Sequence, residues 1–159
     1  MFQGKKFLYE VRVYFEDTDA GGIVYHATYL RFAERARSEM LRALGVPHAE
    51  LVARHGMFFV VRRAKLDYLR PARLDDLLVV VTEVLASGGA SARLRQSFYR
   101  RGETAALVVL TLSLASIGRE NQRPARLPER WRRAMTDLAI GIPSSGDPHL
   151  RGGASGCDG

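Results

Sequence analysis

Only one long stretch of this chain repeats its apolar residues at the helical period. Tyr25, Tyr29, Phe32, Ala33, Ala36, Met40 and Leu44 recur at steps of three and four. That spacing places them on one face of a helix from about His26 to Leu44. Arg31, Glu34, Arg35, Ser38, Glu39 and Arg42 fall off the stripe, with Arg35 and Glu39 four apart as a facing pair. Gly45 suits the position just past the helix end, and Pro47 follows it. A lone long apolar helix has no helical partner of its own size, so its stripe needs a sheet. The fold class that follows is α+β, with the helix on one face of a curved sheet.

The rest of the patterned sequence supplies that sheet. Leu8 to Phe15 (LYEVRVYF) is rich in β-branched and aromatic residues and reads as the first strand. Met57 to Leu66, Leu77 to Leu85, Ala92 to Arg100 and Thr104 to Ile117 read as four more. The last four are joined mostly by short connections, SGGAS and Arg101-Gly102-Glu103 among them, which favours an antiparallel meander. Pro128 opens a short helix with Leu127, Trp131, Met135 and Leu138 at three- and four-residue steps. From Gly141 the pattern stops. GIPSSGDPHLRGGASGCDG holds six of the fifteen glycines and two prolines, too little apolar surface to offset its ordering entropy. Residues 1–140 are therefore expected to form one domain and 141–159 a disordered tail.

Several function classes drop out. With 159 residues the chain has room for a single core. One cysteine, Cys157, excludes an intrachain disulfide and a cysteine-based metal site. The N-terminal residues show no apolar run with a cleavage site, so no signal peptide is expected, and no run reaches the ~18 apolar residues of a membrane span. The longest candidate, Ala105 to Ile117, is broken by Thr111, Ser113 and Ser116. A soluble cytoplasmic protein is expected. The net charge of +7, carried mostly by arginine, points to an anionic partner or a solvated basic surface. The arginines are spread along the chain and no nucleic-acid module is present.

The chemistry concentrates in EDTDAGGIVYHATYLRFAERAR, Glu16 to Arg37. Asp17 and Asp19 close the first strand, Gly21-Gly22 allows a tight turn and close backbone approach, and His26 stands at the helix start. The first N–H groups of a helix lack intrahelical acceptors and carry partial positive charge, so they can hold an oxyanion. One segment thus offers a carboxylate, an imidazole and oxyanion donors, the parts acyl transfer needs. The same residues also fit a turn with solvated acids, or a divalent metal site that no second His or Glu cluster completes.

The segment EDTDAGGIVYHATYLRFAERARSEML resembles the signature of the hotdog-fold acyl-CoA thioesterases associated with the Tol-Pal system, within the wider 4-hydroxybenzoyl-CoA thioesterase class. A second stretch, VVRRAKLDYLRPARLDDLL, is also similar to that family, and the likeness spans about Leu8 to Met135. It implies a hotdog: a long helix wrapped by a curved antiparallel sheet of about five strands, assembled as a homodimer or homotetramer. It implies no cofactor and no metal. The family's catalytic carboxylate falls on Asp19 and its active-site histidine on His26. The backbone N–H of Tyr25 is the implied oxyanion donor, with Gly22 permitting the turn. Phe15 stands where some relatives carry a tyrosine. Gly22, Arg62, Arg63 and Lys65 are the expected substrate contacts; the basic group, with Arg70 and Arg73, suits coenzyme A phosphates through forked donors. Phe58, Phe59 and Tyr68 fit either an acyl pocket or ordinary core.

Two other readings share these residues. Hotdog hydratases and dehydratases resemble D-x-x-x-x-H, with Asp and His five apart, whereas Asp19 and His26 are seven apart. A non-catalytic partner of acyl carrier protein or of an envelope system would use the basic surface alone. The acyl donor itself is expected to be acyl-CoA or an acylated acyl carrier protein.

Overall fold

The computed structural model describes residues 1–141. In chain order they form β1 (Phe2–Gln3), β2 (Lys6–Arg12), α1 (Thr28–Ala43), α2 (His48–His55), β3 (Met57–Tyr68), β4 (Leu77–Ser87), β5 (Ser91–Arg100), β6 (Ala106–Gly118) and α3 (Glu129–Leu138). The strands make one antiparallel sheet in the order β1-β2-β4-β5-β6-β3. The sixth strand, beyond the five expected, is the two-residue β1.

The expected meander holds for β4, β5 and β6 only. β3 pairs with β6 at the far edge, and β2 takes the place beside β4. The 69–76 connection makes this possible by crossing the end of the sheet, where Val24 N–H donates to the Ala72 carbonyl at 2.9 Å.

Helix α1 buries Tyr29, Phe32, Ala33, Ala36, Met40 and Leu41 in the same core as Leu78, Val80, Leu94, Phe98, Leu110 and Leu112. Ala33 and Ala36 are small enough to bring the helix close to the strands. Fully burying a side chain such as Phe32 contributes about 1.5–3 kcal/mol. One polar side chain joins this interface: Gln96 Nε2 donates to the Ala33 carbonyl at 2.9 Å and to Thr82 Oγ1 at 3.0 Å, and its Oε1 accepts from Arg37. Beside the C-terminal half of α1, Leu127, Trp131, Met135 and Leu138 complete the same core, as their spacing requires.

Two boundaries near the site and one whole helix depart from the sequence reading. The first strand ends at Arg12, because Tyr14 N–H is captured by Asp17 Oδ2 at 2.8 Å and Phe15–Asp17 coils into one 3-10 turn. Helix α1 begins at Thr28, so His26 lies in the turn before it. Helix α2 has no counterpart among the expected elements: Pro47 caps its start, and Gly56 ends it at φ 58°, a left-handed conformation that favours glycine. Register shifts at Val61/Arg63 and Val84/Ala86 lie at the same level of the sheet and bend it.

No helix among the described residues is long and apolar enough to cross a membrane. Gly141 N–H donates to the Leu85 carbonyl at 3.1 Å; the rest of the expected tail lies outside the described residues.

Candidate active site

Residues 18–24 fold back on themselves. Thr18 bridges Val24, Asp19 N–H donates to the Ile23 carbonyl at 2.9 Å, and Gly22 N–H returns to the Asp19 carbonyl at 3.0 Å. Asp19 sits at this tip with Oδ1 accepting Gly21 N–H at 2.8 Å. Both glycines are needed. Gly22 has φ +74°, and a Cβ on Gly21 would stand 3.2 Å from Asp19 Oδ1. The tip is docked on the 71–73 segment through an Ile23–Arg73 bridge as well as the Val24–Ala72 bond.

The two aspartates have different surroundings. Asp17 is occupied at both ends: its carboxylate receives Tyr14 N–H and its carbonyl receives Tyr25 N–H at 2.9 Å. Asp19 is exposed and lines a cavity of about 420 Å³ with Ile23, Val24, His26, Tyr29, Tyr68, Leu69, Arg70 and Pro71. Asp19 and His26 therefore meet at one cavity.

Tyr25 departs from its expected role. Its N–H is already spent on Asp17, so it is not an open donor. The next peptide is better placed. The Tyr25 carbonyl accepts Thr28 N–H at 2.9 Å, which aligns that peptide with the helix. Because a trans peptide holds its N–H opposite its carbonyl, His26 N–H points out past the helix start. Among the described residues it has no acceptor. The Tyr25 side chain is half-exposed and its ring lies 4.3 Å from that of His26. Phe15 is 82% exposed, outside the cavity lining.

The basic residues grouped in sequence separate in space. Arg70 lines the Asp19 cavity, held by the Ala105 carbonyl at 2.7 Å and by Glu103 at 3.2 Å. Arg73 flanks the Asp19 tip. Arg63 and Lys65 pair with Ser113 and Thr111, and so lie on the sheet face opposite α1. They stand roughly 10–16 Å along β3 from Tyr68, at about 3.3 Å per residue. Arg62 and Arg63 line a second cleft of about 550 Å³ with Arg93, Ser87, Ser91 and Ser113. Arg93 pairs with Ser113 from the other side, and the Ser87 hydroxyl is buried with no partner among the described residues. The sequence reading missed Arg93, although ARLRQ alternates and sets it opposite Leu94. Of the aromatics, Tyr68 lines the Asp19 cavity, while Phe59 packs against the core edge beside His48.

An ionic frame supports the site. Arg100 reaches Asp76 at 3.0 Å, Glu103 at 2.9 Å and the Pro71 carbonyl at 3.4 Å. These bonds tie down the 69–76 connection on which the Asp19 tip rests. Hydrogen bonding to Arg100 holds the Glu103 carboxyl below its ordinary range, and the same partners raise Arg100.

Comparison with known proteins finds relatives of one kind. The sequence pattern of the Thioesterase superfamily matches residues 21–107. The chain is 42% identical over 132 residues to the acyl-CoA thioesterase YbgC of Haemophilus influenzae, covering 83% of this chain and 96% of that one. It is 52% identical over 85 residues to the acyl-CoA thioester hydrolase YbgC of Escherichia coli O6:H1, covering 54% and 63%. Among solved structures, a probable thioesterase from Bartonella henselae superposes with a TM-score of 0.72 at 38% identity, covering 77% of this chain and 99% of that one. By sequence pattern, relatives and the helix-in-sheet architecture alike, the chain belongs to the Thioesterase superfamily and has its hotdog fold.

Proposed function

We propose that this chain hydrolyses the thioester of acyl-CoA to a free acid and coenzyme A, with Asp19 as the catalytic carboxylate. The observation that carries this reading is that Asp19 and His26 line one cavity while the His26 N–H has no acceptor among the described residues. Asp19 either takes a proton from the attacking water or adds to the acyl carbon itself. His26 N–H, at the positive end of α1, holds the oxyanion that forms. As the intermediate collapses the C–S bond breaks and the electron pair leaves on sulfur, with the His26 imidazole assisting the departure. The thiolate receives the proton that Asp19 took from the attacking water or, where Asp19 adds to carbon, a proton of the water that then hydrolyses the acyl-Asp19 anhydride.

The cleft lined by Arg62, Arg63 and Arg93 suits the phosphates of coenzyme A, and the hairpin serines add neutral donors. Lys65 lies beside it. Edge strand β3 is long and, among the described residues, has no strand on its outer side, with Val61 half-exposed. Such an edge favours pairing with a second copy in a homodimer. That pairing would bring a neighbour's basic cleft toward this chain's Asp19 cavity. An acylated acyl carrier protein, being acidic, is an alternative acyl donor for a protein of net charge +7. The resemblance to Tol-Pal-associated thioesterases supports a role beside an envelope system, from the cytoplasm.

The test is a hydrolysis panel across short, long and aromatic acyl-CoAs, run with a chelator present and with Asp19→Asn as control. Turnover in the wild type that the Asp19→Asn substitution abolishes supports the reading. Hydration of an enoyl-CoA without thioester cleavage would replace it with a hydratase. Label in the Asp19 carboxylate after single turnover in ¹⁸O-water would establish the nucleophilic role, since it enters there only if Asp19 attacks carbon and water then opens the anhydride at the Asp19 carboxyl.

A further inference from the structure

The peptide at the helix mouth is fixed from two directions. Behind His26, the Tyr25 carbonyl accepts Thr28 N–H at 2.9 Å. Ahead of it, the His26 carbonyl accepts the hydroxyl of Tyr68 at 2.8 Å, a residue 42 positions later on the edge strand. In a regular α-turn the N–H of residue 30 would donate to the carbonyl of residue 26. Here Leu30 N–H donates to the Ala27 carbonyl at 3.2 Å, and the phenol takes its place.

Tyr68 is itself held. Its ring meets Tyr29 edge-on at 5.9 Å, and Tyr29 meets buried Phe98 edge-on at 5.3 Å. The Tyr29 hydroxyl accepts Ala72 N–H at 3.3 Å. A stack of three aromatic rings thus runs from the core to the cavity wall and ends in a hydroxyl on the His26 backbone. Tyr68 and His26 both line the Asp19 cavity, so the bond is a strut between the edge strand and the turn that precedes α1.

We propose that Tyr68 is a positioning residue for thioester hydrolysis: its hydroxyl fixes the His26 backbone so that the His26 N–H is aimed at the oxyanion. The proposal rests on the thioesterase reading above. Pinning both the carbonyl before His26 and its own carbonyl leaves the backbone on either side of that N–H little freedom. A donor aimed in advance needs no reorganisation when charge develops, and small displacements of such groups are costly in rate. The Tyr68 hydroxyl is given to the His26 carbonyl and not to the substrate, so its loss should fall on turnover rather than on binding.

Tyr68→Phe keeps the ring contact with Tyr29 and removes only the hydroxyl. Expected is a fall in kcat of about tenfold with KM within about twofold. Affinity for a trifluoromethyl ketone analogue of acyl-CoA, whose adduct carries the oxyanion, should fall by the same factor. Affinity for the non-hydrolysable thioether analogue should stay unchanged, and the melting temperature should fall by no more than the few degrees that one exposed hydrogen bond contributes. A kcat within twofold of wild type overturns the role. So does a loss shared equally by the thioether analogue and the melting temperature, which marks a structural residue. A wild-type chain without acyl-CoA turnover overturns the thioesterase reading itself, and the role of Tyr68 with it.

Discussion

The backbone N–H of Tyr25 donates to the carbonyl of Asp17 at 2.9 Å, and that bond divides the labour between the two aspartates of the D-T-D triplet. Asp17 organises the turn from both its carbonyl and its carboxylate, while Asp19 is left facing the cavity. Asp19→Asn should lower acyl-CoA turnover by about 10²–10⁴-fold with an unchanged melting temperature. Asp17→Ala should lower the melting temperature by about 2–6 °C through the lost Tyr14 hydrogen bond. It should also retain more activity than the Asp19→Asn variant. Steady-state kinetics and thermal melts on the two variants check the division.

Gly21 and Gly22 differ in what they permit, and alanine at each should fail differently. At Gly22, φ +74° penalises any side chain, so Gly22→Ala should destabilise by about 1–2 kcal/mol. At Gly21 the new Cβ would crowd Asp19 Oδ1 at 3.2 Å. Gly21→Ala should therefore reduce kcat by about tenfold or more with little change in stability. Denaturant melts read the first effect and initial rates the second.

The second cleft predicts a split between substrates. Arg93→Glu places negative charge among Arg62, Arg63 and the hairpin serines. The KM for acyl-CoA should rise by about tenfold or more, as expected for loss of a charge-assisted phosphate contact worth about 1.5–3 kcal/mol. The KM for the matching acyl-N-acetylcysteamine thioester, which lacks phosphates, should not move. Equal changes for both would remove the cleft from coenzyme A recognition.

His48 predicts the acid side of the stability profile. Its Nε2 accepts Phe59 N–H at 3.2 Å, tying α2 to β3. Burial lowers its pKa below the ordinary 6.5, so the folded state prefers the neutral ring. The unfolded state then binds the proton more readily. This contribution is complete above the unfolded value near 6.5 and is lost as pH falls from there through the folded value. His48→Gln retains an acceptor that does not titrate. Melting temperatures between about pH 7.5 and 5 should fall less steeply for the His48→Gln variant than for the wild type.

Legibility in the sequence followed the range of the interactions involved. The α1 stripe, the α3 stripe and the strands are set by periodicity within a few residues, and all appear near their expected places. Helix α2 was missed because it is short and buries only Leu51 fully, too little to raise a periodic signal. The first strand ended early because a side chain, Asp17, captured a backbone N–H that the ladder would otherwise have used. The partner of β3 was also hidden, since nothing local distinguishes β4 from β6 as its neighbour.

The sequence by itself determined the composition of the site: the carboxylates, the double glycine and the histidine before α1 are neighbours along the chain, and the glycines demand a turn there. Tertiary structure alone decided how those parts are used. It spent the Tyr25 N–H on Asp17 and left the His26 N–H open. It separated Arg62 and Arg63 from Arg70, because β3 carries the first two along its length while the chain beyond its end turns Arg70 into the Asp19 cavity. It also brought Tyr68 across 42 positions to the His26 carbonyl. Hydrogen bonds between distant segments depend on where the chain returns in space, and a one-dimensional spacing carries no record of that return.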